Sequence, residues 1–171
     1  MLQIEDYIRD IKDYPKPGVL FKDITPLLGN KEASEDCLNN LLDLIRDQKI
    51  DKVVGIESRG FFFGMLLAQK LNAGFVPVRK AGKLPFNTHV EPYSLEYGMD
   101  TLEIHEDAIA PGERVLLHDD VLATGGTARA ACNLIKKCGG TIVQCNFIMT
   151  LDFLGGKNKI RQYDVASVLH Y

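Results

Sequence analysis

The chain has no run approaching the roughly 18 to 20 apolar residues that a membrane-spanning helix needs. Its opening stretch, Met1 to Asp10, carries Glu5, Asp6 and Asp10 where a secretory leader would carry bases. A cytoplasmic protein with no membrane partner is expected. Positive charge is not in surplus either: 20 Lys and Arg stand against 23 Asp and Glu, for a formal net charge of −3. General affinity for nucleic acid is excluded on that ground, since binding a phosphate backbone needs an excess of cations. The cysteines Cys37, Cys132, Cys138 and Cys145 form no CxxC pair, so they read as small buried hydrophobes rather than as disulfides or metal ligands. Repeats and low-complexity tracts are absent.

What is present suits one domain: 171 residues, 46% hydrophobic and 25% charged, are enough for one core and too few for two ordinary ones. Ile4, Ile8 and Ile11 recur at helical spacing, which predicts an amphipathic helix ended by "DYPKPG". "VLFKDITPLLGN" reads as ordered but irregular. From Ala33 a helix is expected, with Ser34 as its cap and Cys37, Leu38, Leu41, Leu42 and Ile45 as its apolar face. Strand and helix then alternate: "KVVGI", "RGFFFGMLLAQKL", "GFVPV", and later "RVLLH", "TARAACNLIKKCG", "TIVQCNFIMT", with "DVASVL" as a last strand. Such alternation implies an α/β fold with a parallel sheet. Residues 79–111 interrupt it with a polar, Gly- and Pro-containing insertion, in which Leu102 and Ile104 alternate with polar neighbours as in a hairpin.

The most informative stretch is "RVLLHDDVLATGGTARAA", Arg114 to Ala131. Ligands of open parallel sheets gather at the carboxyl ends of the strands, where Asp119 and Asp120 are expected. Gly125 and Gly126 let the backbone turn its N–H groups inward, Thr124 and Thr127 add hydroxyls, and the next helix presents its positive end, so an anion fits there. The two acids would repel that anion and must meet another part of the ligand; a sugar diol or a bound Mg²⁺ suits them. Phosphate plus diol points to a ribose 5-phosphate. The loop is neither GxGxxG nor a Walker loop, because Ala128 follows Thr127 and no Lys follows the glycines.

"VLLHDDVLATGGT" resembles the phosphoribosyl-pyrophosphate signature of the type I phosphoribosyltransferases. That family implies an open, mostly parallel twisted sheet flanked by helices, with an N-terminal hood over residues 1–32 and a flexible loop-and-hairpin insertion over 79–111. On the resemblance, Asp119 and Asp120 hold the ribose hydroxyls, and Ala123, Thr124, Gly125, Gly126 and Thr127 hold the 5′-phosphate. "GIESRGF" is similar to the pyrophosphate loop of the adenine branch, which implies that Glu57, Ser58, Arg59 and Gly60 bind pyrophosphate together with Arg79, Lys80 and Lys83. "PGVLFKDITPLL" resembles that branch's base-binding hood: Phe21 would stack on adenine while the main chain of Leu20 and Lys22 reads its edge. Lys22 stands where Arg is usual, and His118 where Val or Ile is usual; the histidine reads as packed beneath the loop. Glu96 of "EYGMDTLEIH" resembles the acid placed near the base, and Tyr97 a part of the closing lid. "LDFLGGKNKI" also resembles the family's closing segment.

The resemblance thus implies transfer of 5-phosphoribosyl from phosphoribosyl pyrophosphate to adenine, giving AMP and pyrophosphate. Glu96 and Arg59 would be the catalytic residues, Mg²⁺ the cofactor, bound mainly through substrate rather than by protein ligands, and a homodimer the assembly. Two rivals remain open. A 6-oxopurine acceptor is disfavoured by the hood and Glu96; a non-catalytic sensor of phosphoribosyl pyrophosphate is disfavoured by the acidic chain, which opens directly on the hood.

Overall fold

The N-terminal isoleucines do not build the helix their spacing predicts. The computed structural model describes residues 3–94 and 98–171. Only Ile4–Tyr7 coils, as one 3₁₀ turn that buries Ile4. Arg9–Lys12 (β1) then extends and pairs antiparallel with Leu20–Asp23 (β2). A short isolated helix is marginal, whereas this pairing satisfies backbone groups and sets opposite charges across from each other. Arg9 faces Asp23 at 3.6 Å and Asp10 faces Lys22 at 2.7 Å. The segment expected to be irregular therefore supplies β2 and a short helix, Thr25–Gly29 (α1), with a proline in its first turn.

Lys31–Ile45 (α2) starts two residues earlier than expected and is capped by Asn30, whose Oδ1 accepts from Ala33 N at 2.9 Å. Ser34 is not the cap. Its hydroxyl donates back to Leu27 O at 2.6 Å, tying α2 to α1.

The alternating elements follow the sequence reading closely: Lys52–Ile56 (β3), Gly60–Lys70 (α3), Gly74–Lys80 (β4), then Thr88–Ser94 (β5) and Met99–His105 (β6), Arg114–Leu122 (β7), Gly126–Lys137 (α4), Thr141–Thr150 (β8) and Val165–His170 (β9). Two 3₁₀ turns, Asp152–Leu154 and Gly156–Ile160, join β8 to β9. Seven of the nine described strands form a sheet in the order β5-β6-β4-β3-β7-β8-β9, parallel from β4 to β9 and antiparallel where β6 joins β4 and β5 joins β6. The architecture is the α/β one expected.

Period-two alternation sorts β7 between two cores. Val115 and Leu117 pack under α4 with Ala131, Leu134 and Ile135, while Leu116 packs against α2 and α3 with Leu41, Phe63 and Leu67. The hairpin is part of this scaffold: Leu102 and Ile104 are fully buried in the α4-side core. Arg79 and Lys80 lie on the end of β4, opposite Glu103 and Leu102 of β6, so the insertion proper begins after them. The acid pair likewise lies on its strand rather than beyond it. β3 pairs with β7 only as far as His118, but β7 continues against β8 to Leu122. Asp119 and Asp120 are thus on the free margin of a strand that outruns its neighbour.

Candidate active site

A cleft of about 920 Å³ opens along this carboxyl margin, between the β1–β2 ribbon and the turn that follows β7. Its floor is the stretch from Asp119 to Gly125 with Thr127 and Ala128. Gly125 turns the chain at φ 77°, which a side chain would strain, and α4 begins at the next residue. The loop is also pressed from behind: a Cβ on Gly125 would overlap the Gly156 carbonyl, and one on Gly156 would overlap the Ala123 carbonyl. Gly156 of the closing segment therefore clamps the anion loop by main-chain contact. The result is a strand end, a glycine turn and a helix N-terminus in the arrangement that binds phosphate.

Charges in the cleft satisfy one another. Arg59, at the entrance to α3, donates from Nε to Asp120 Oδ2 at 2.5 Å, and its guanidinium stands 4.9 Å over the Phe21 ring. Asp119 Oδ1 accepts the Asp120 N–H at 2.9 Å. Burial, with the Asp120 carboxylate beside it, pushes the Asp119 carboxyl well above its usual range. Glu57 gathers the basic loop: Lys80 N donates at 2.9 Å, Arg79 Nε at 3.3 Å, and Lys83 Nζ closes on Oε1. Burial alone would raise the Glu57 carboxyl, but these donors outweigh it and hold it below the usual range.

Ser58, Arg59, Lys80 and Lys83 line the cleft with Glu57. Three residues expected at the site are not on its wall. Arg79 is turned to Glu57 and to Lys83 O, Gly60 packs beneath β7 with its Cβ position 2.9 Å from His118 O, and Gly126 faces Tyr93 and Ser94 in a neighbouring cleft. Glu96 and Tyr97 lie outside the described residues.

At the opposite end, Gly18 to Lys22 form one wall. Phe21 meets Tyr14 edge-on, centroids 5.1 Å apart. Lys22 directs its ammonium to Asp10 and to a position 3.6 Å over the Tyr171 ring. Leu151, Phe153 and Leu154 line the same cleft, with Phe153 76% and Leu154 41% exposed. Sequence reasoning assigned these three no role, because nothing local marks them as sharing a cleft with Phe21. Tyr93 was missed for the same reason, although the hairpin pattern around it was visible. Large apolar side chains left uncovered beside a cleft are what a flat apolar ligand would cover.

His118 is buried as expected: Asn146 Oδ1 takes its Nδ1–H at 2.8 Å, and burial lowers its pKa from 6.5 to about 4. It underlies the acid pair as a neutral group. All four cysteines are free and buried.

Comparison with known proteins agrees with this geometry. Residues 25–168 match the model of the phosphoribosyl transferase domain. The chain is 64% identical over 170 residues to the adenine phosphoribosyltransferase of Flavobacterium johnsoniae, covering 99% of this chain and all of that one. It is similar to the crystal structure of adenine phosphoribosyltransferase from Rhodothermus marinus, with a TM-score of 0.94 and 51% identity over 98% of this chain and 96% of that one. It is also similar to the Saccharomyces cerevisiae enzyme crystallised with adenine and an imino-altritol bisphosphate, with a TM-score of 0.91 and 39% identity over 96% of this chain and 95% of that one.

Proposed function

We propose, for a chain that belongs to the phosphoribosyl transferase domain family, that it transfers the 5-phosphoribosyl group of phosphoribosyl pyrophosphate to N9 of adenine, releasing AMP and pyrophosphate. The observation that carries this reading is the placement of an anion loop, a paired acid and arginine, a basic wall and an apolar slot along one cleft. In the reaction the bond between C1′ and the pyrophosphate oxygen breaks, its electron pair leaves with pyrophosphate, and adenine N9 bonds to C1′. The proton of the base must leave as that bond forms, and Glu96 is the residue proposed to take it.

Ala123 to Thr127 hold the 5′-phosphate, Asp119 and Asp120 the ribose hydroxyls, and the carboxylates favour the positive charge that develops on the ring. Arg59, freed from Asp120 by the donor, joins Lys80 and Lys83 on the leaving group. Glu57 then acts through the cations it positions rather than by touching pyrophosphate. Phe21 stacks on the base opposite Leu154, and Lys22 contributes main-chain groups only, since its ammonium is already held. Tyr97 belongs to the segment that closes over the reactants and keeps out water. With Asp119 and Asp120 given to the ribose hydroxyls, a Mg²⁺ would be held mainly through the donor's phosphate oxygens, where it would neutralise their charge.

A homodimer in the cytoplasm completes the reading. Supporting it is α3, apolar on both flanks, with Phe62, Met65 and Leu66 exposed by 49%, 46% and 41%. The four free cysteines suit a reducing compartment.

The test is product formation from phosphoribosyl pyrophosphate and Mg²⁺ with adenine, hypoxanthine, guanine or xanthine in separate reactions. AMP from adenine alone is expected. A 6-oxopurine product would overturn the assignment of the base slot, and no product with any base would overturn the catalytic reading.

A further inference from the structure

Tyr93, on β5, lines the donor site beside the anion loop. Thr127 of the anion loop stands beside the Tyr93 hydroxyl on the wall of the cleft. That hydroxyl donates to Asp100 Oδ2 at 3.0 Å, and the same oxygen lies 3.2 Å from Lys80 Nζ. Tyrosine gives its proton to the carboxylate, and lysine approaches the same oxygen.

Each member is held. Tyr93 and Asp100 are direct cross-strand partners in the hairpin, and Asp100 Oδ1 also accepts Thr101 N at 2.8 Å. The Tyr93 ring packs on the α4-side core, with Cδ2 3.8 Å from where a Cβ on Gly126 would be. Burial and the Asp100 carboxylate push the phenol up to about 12, so it remains a donor at neutral pH. Thr127, Tyr93 and Lys80 all line the cleft.

We propose that Tyr93 and Asp100 are positioning residues that set the spacing between the 5′-phosphate loop, through Thr127, and the pyrophosphate wall, through Lys80. This rests on the function proposed above, because it takes the ligand to be one that spans both subsites. A ligand filling only the phosphate and base ends does not draw on the relay. Phosphoribosyl pyrophosphate does, since its two charged ends must meet both walls at one separation.

The test is calorimetric binding of phosphoribosyl pyrophosphate with Mg²⁺, and separately of AMP, to the full chain and to Tyr93→Phe, which keeps the ring and removes the hydroxyl. Expected is a rise of about 10-fold in Kd for phosphoribosyl pyrophosphate, as for one lost hydrogen bond to a charged group. For AMP the change should stay below about 2-fold. Equal weakening of both ligands, or of neither, overturns the relay. Lys80→Met should also weaken phosphoribosyl pyrophosphate less in the Tyr93→Phe background than alone; strict additivity overturns the coupling. Asp100→Asn repeats the comparison should Tyr93→Phe fail to fold. A wild-type chain that binds neither ligand defeats the proposed function and the relay with it, whereas wild-type binding of both without the expected contrast defeats the relay alone.

Discussion

The two ends of the cleft are built on different principles. At the phosphate end, recognition comes from the main chain: a strand margin, a glycine at φ 77° and a helix start, all within Asp119 to Gly126. At the base end it comes from side chains, with Phe21 on a ribbon near the N-terminus and Phe153 and Leu154 some 130 residues later. An anion is satisfied by N–H groups whose directions follow from local backbone shape, so a few consecutive residues suffice. A flat apolar base needs two surfaces facing each other, and one segment of chain cannot supply both.

The phosphate end also stands on a buried polar pair, His118 and Asn146. His118 is held neutral, its pKa depressed from 6.5 to about 4, so the unfolded chain binds a proton through that window that the folded chain refuses. Stability should therefore be intact above pH 6.5 and decline as pH falls toward 4, by roughly 3 kcal/mol in all. Urea midpoints measured across that range should flatten in His118→Val; an unchanged slope would dissociate the acid sensitivity from this site.

Next in size is the clamp behind the loop. Gly156→Ala drives a methyl into the Ala123 carbonyl, and a displacement near 1 Å at a positioned group costs on the order of 100-fold in kcat/KM. The loss should fall on phosphoribosyl pyrophosphate, with the KM for adenine little changed. If both substrates suffer alike, the two ends are not as separable as their construction suggests.

Phe21→Ala should do the reverse, raising the KM for adenine about 10-fold, as expected for one stacked base, and leaving that for phosphoribosyl pyrophosphate alone. The smallest effect belongs to Lys22→Met. Its ammonium serves Asp10 and Tyr171 rather than the cleft, so the KM for adenine should move less than about 2-fold. A larger change would assign that side chain to the base.

Legibility followed the same division. β3, α3, β4, β7, α4 and β8 could be read from periodicity because each buries apolar residues at its own repeat. The N-terminal isoleucines misled, since Ile4 alone is buried and the rest of that segment is decided by pairing with Leu20–Asp23. Ser34 looked like a cap, but Asn30 reaches Ala33 N and leaves the Ser34 hydroxyl for Leu27. Glu57 was legible as a member of the site, yet not as the acceptor that gathers Arg79, Lys80 and Lys83 from more than twenty residues away.

By itself, then, the sequence determined the order of strands and helices from α2 onward, the anion loop and the chemistry of its acids, because those depend on contacts between residues close along the chain. Tertiary structure alone decided that Arg59 meets Asp120, that Gly156 clamps Ala123, that Phe21 and Leu154 line one cleft, and that Tyr93 stands beside Thr127. Each joins segments separated by tens of residues, and which of many such pairs comes into contact is set by how the two cores pack on the sheet rather than by any local pattern.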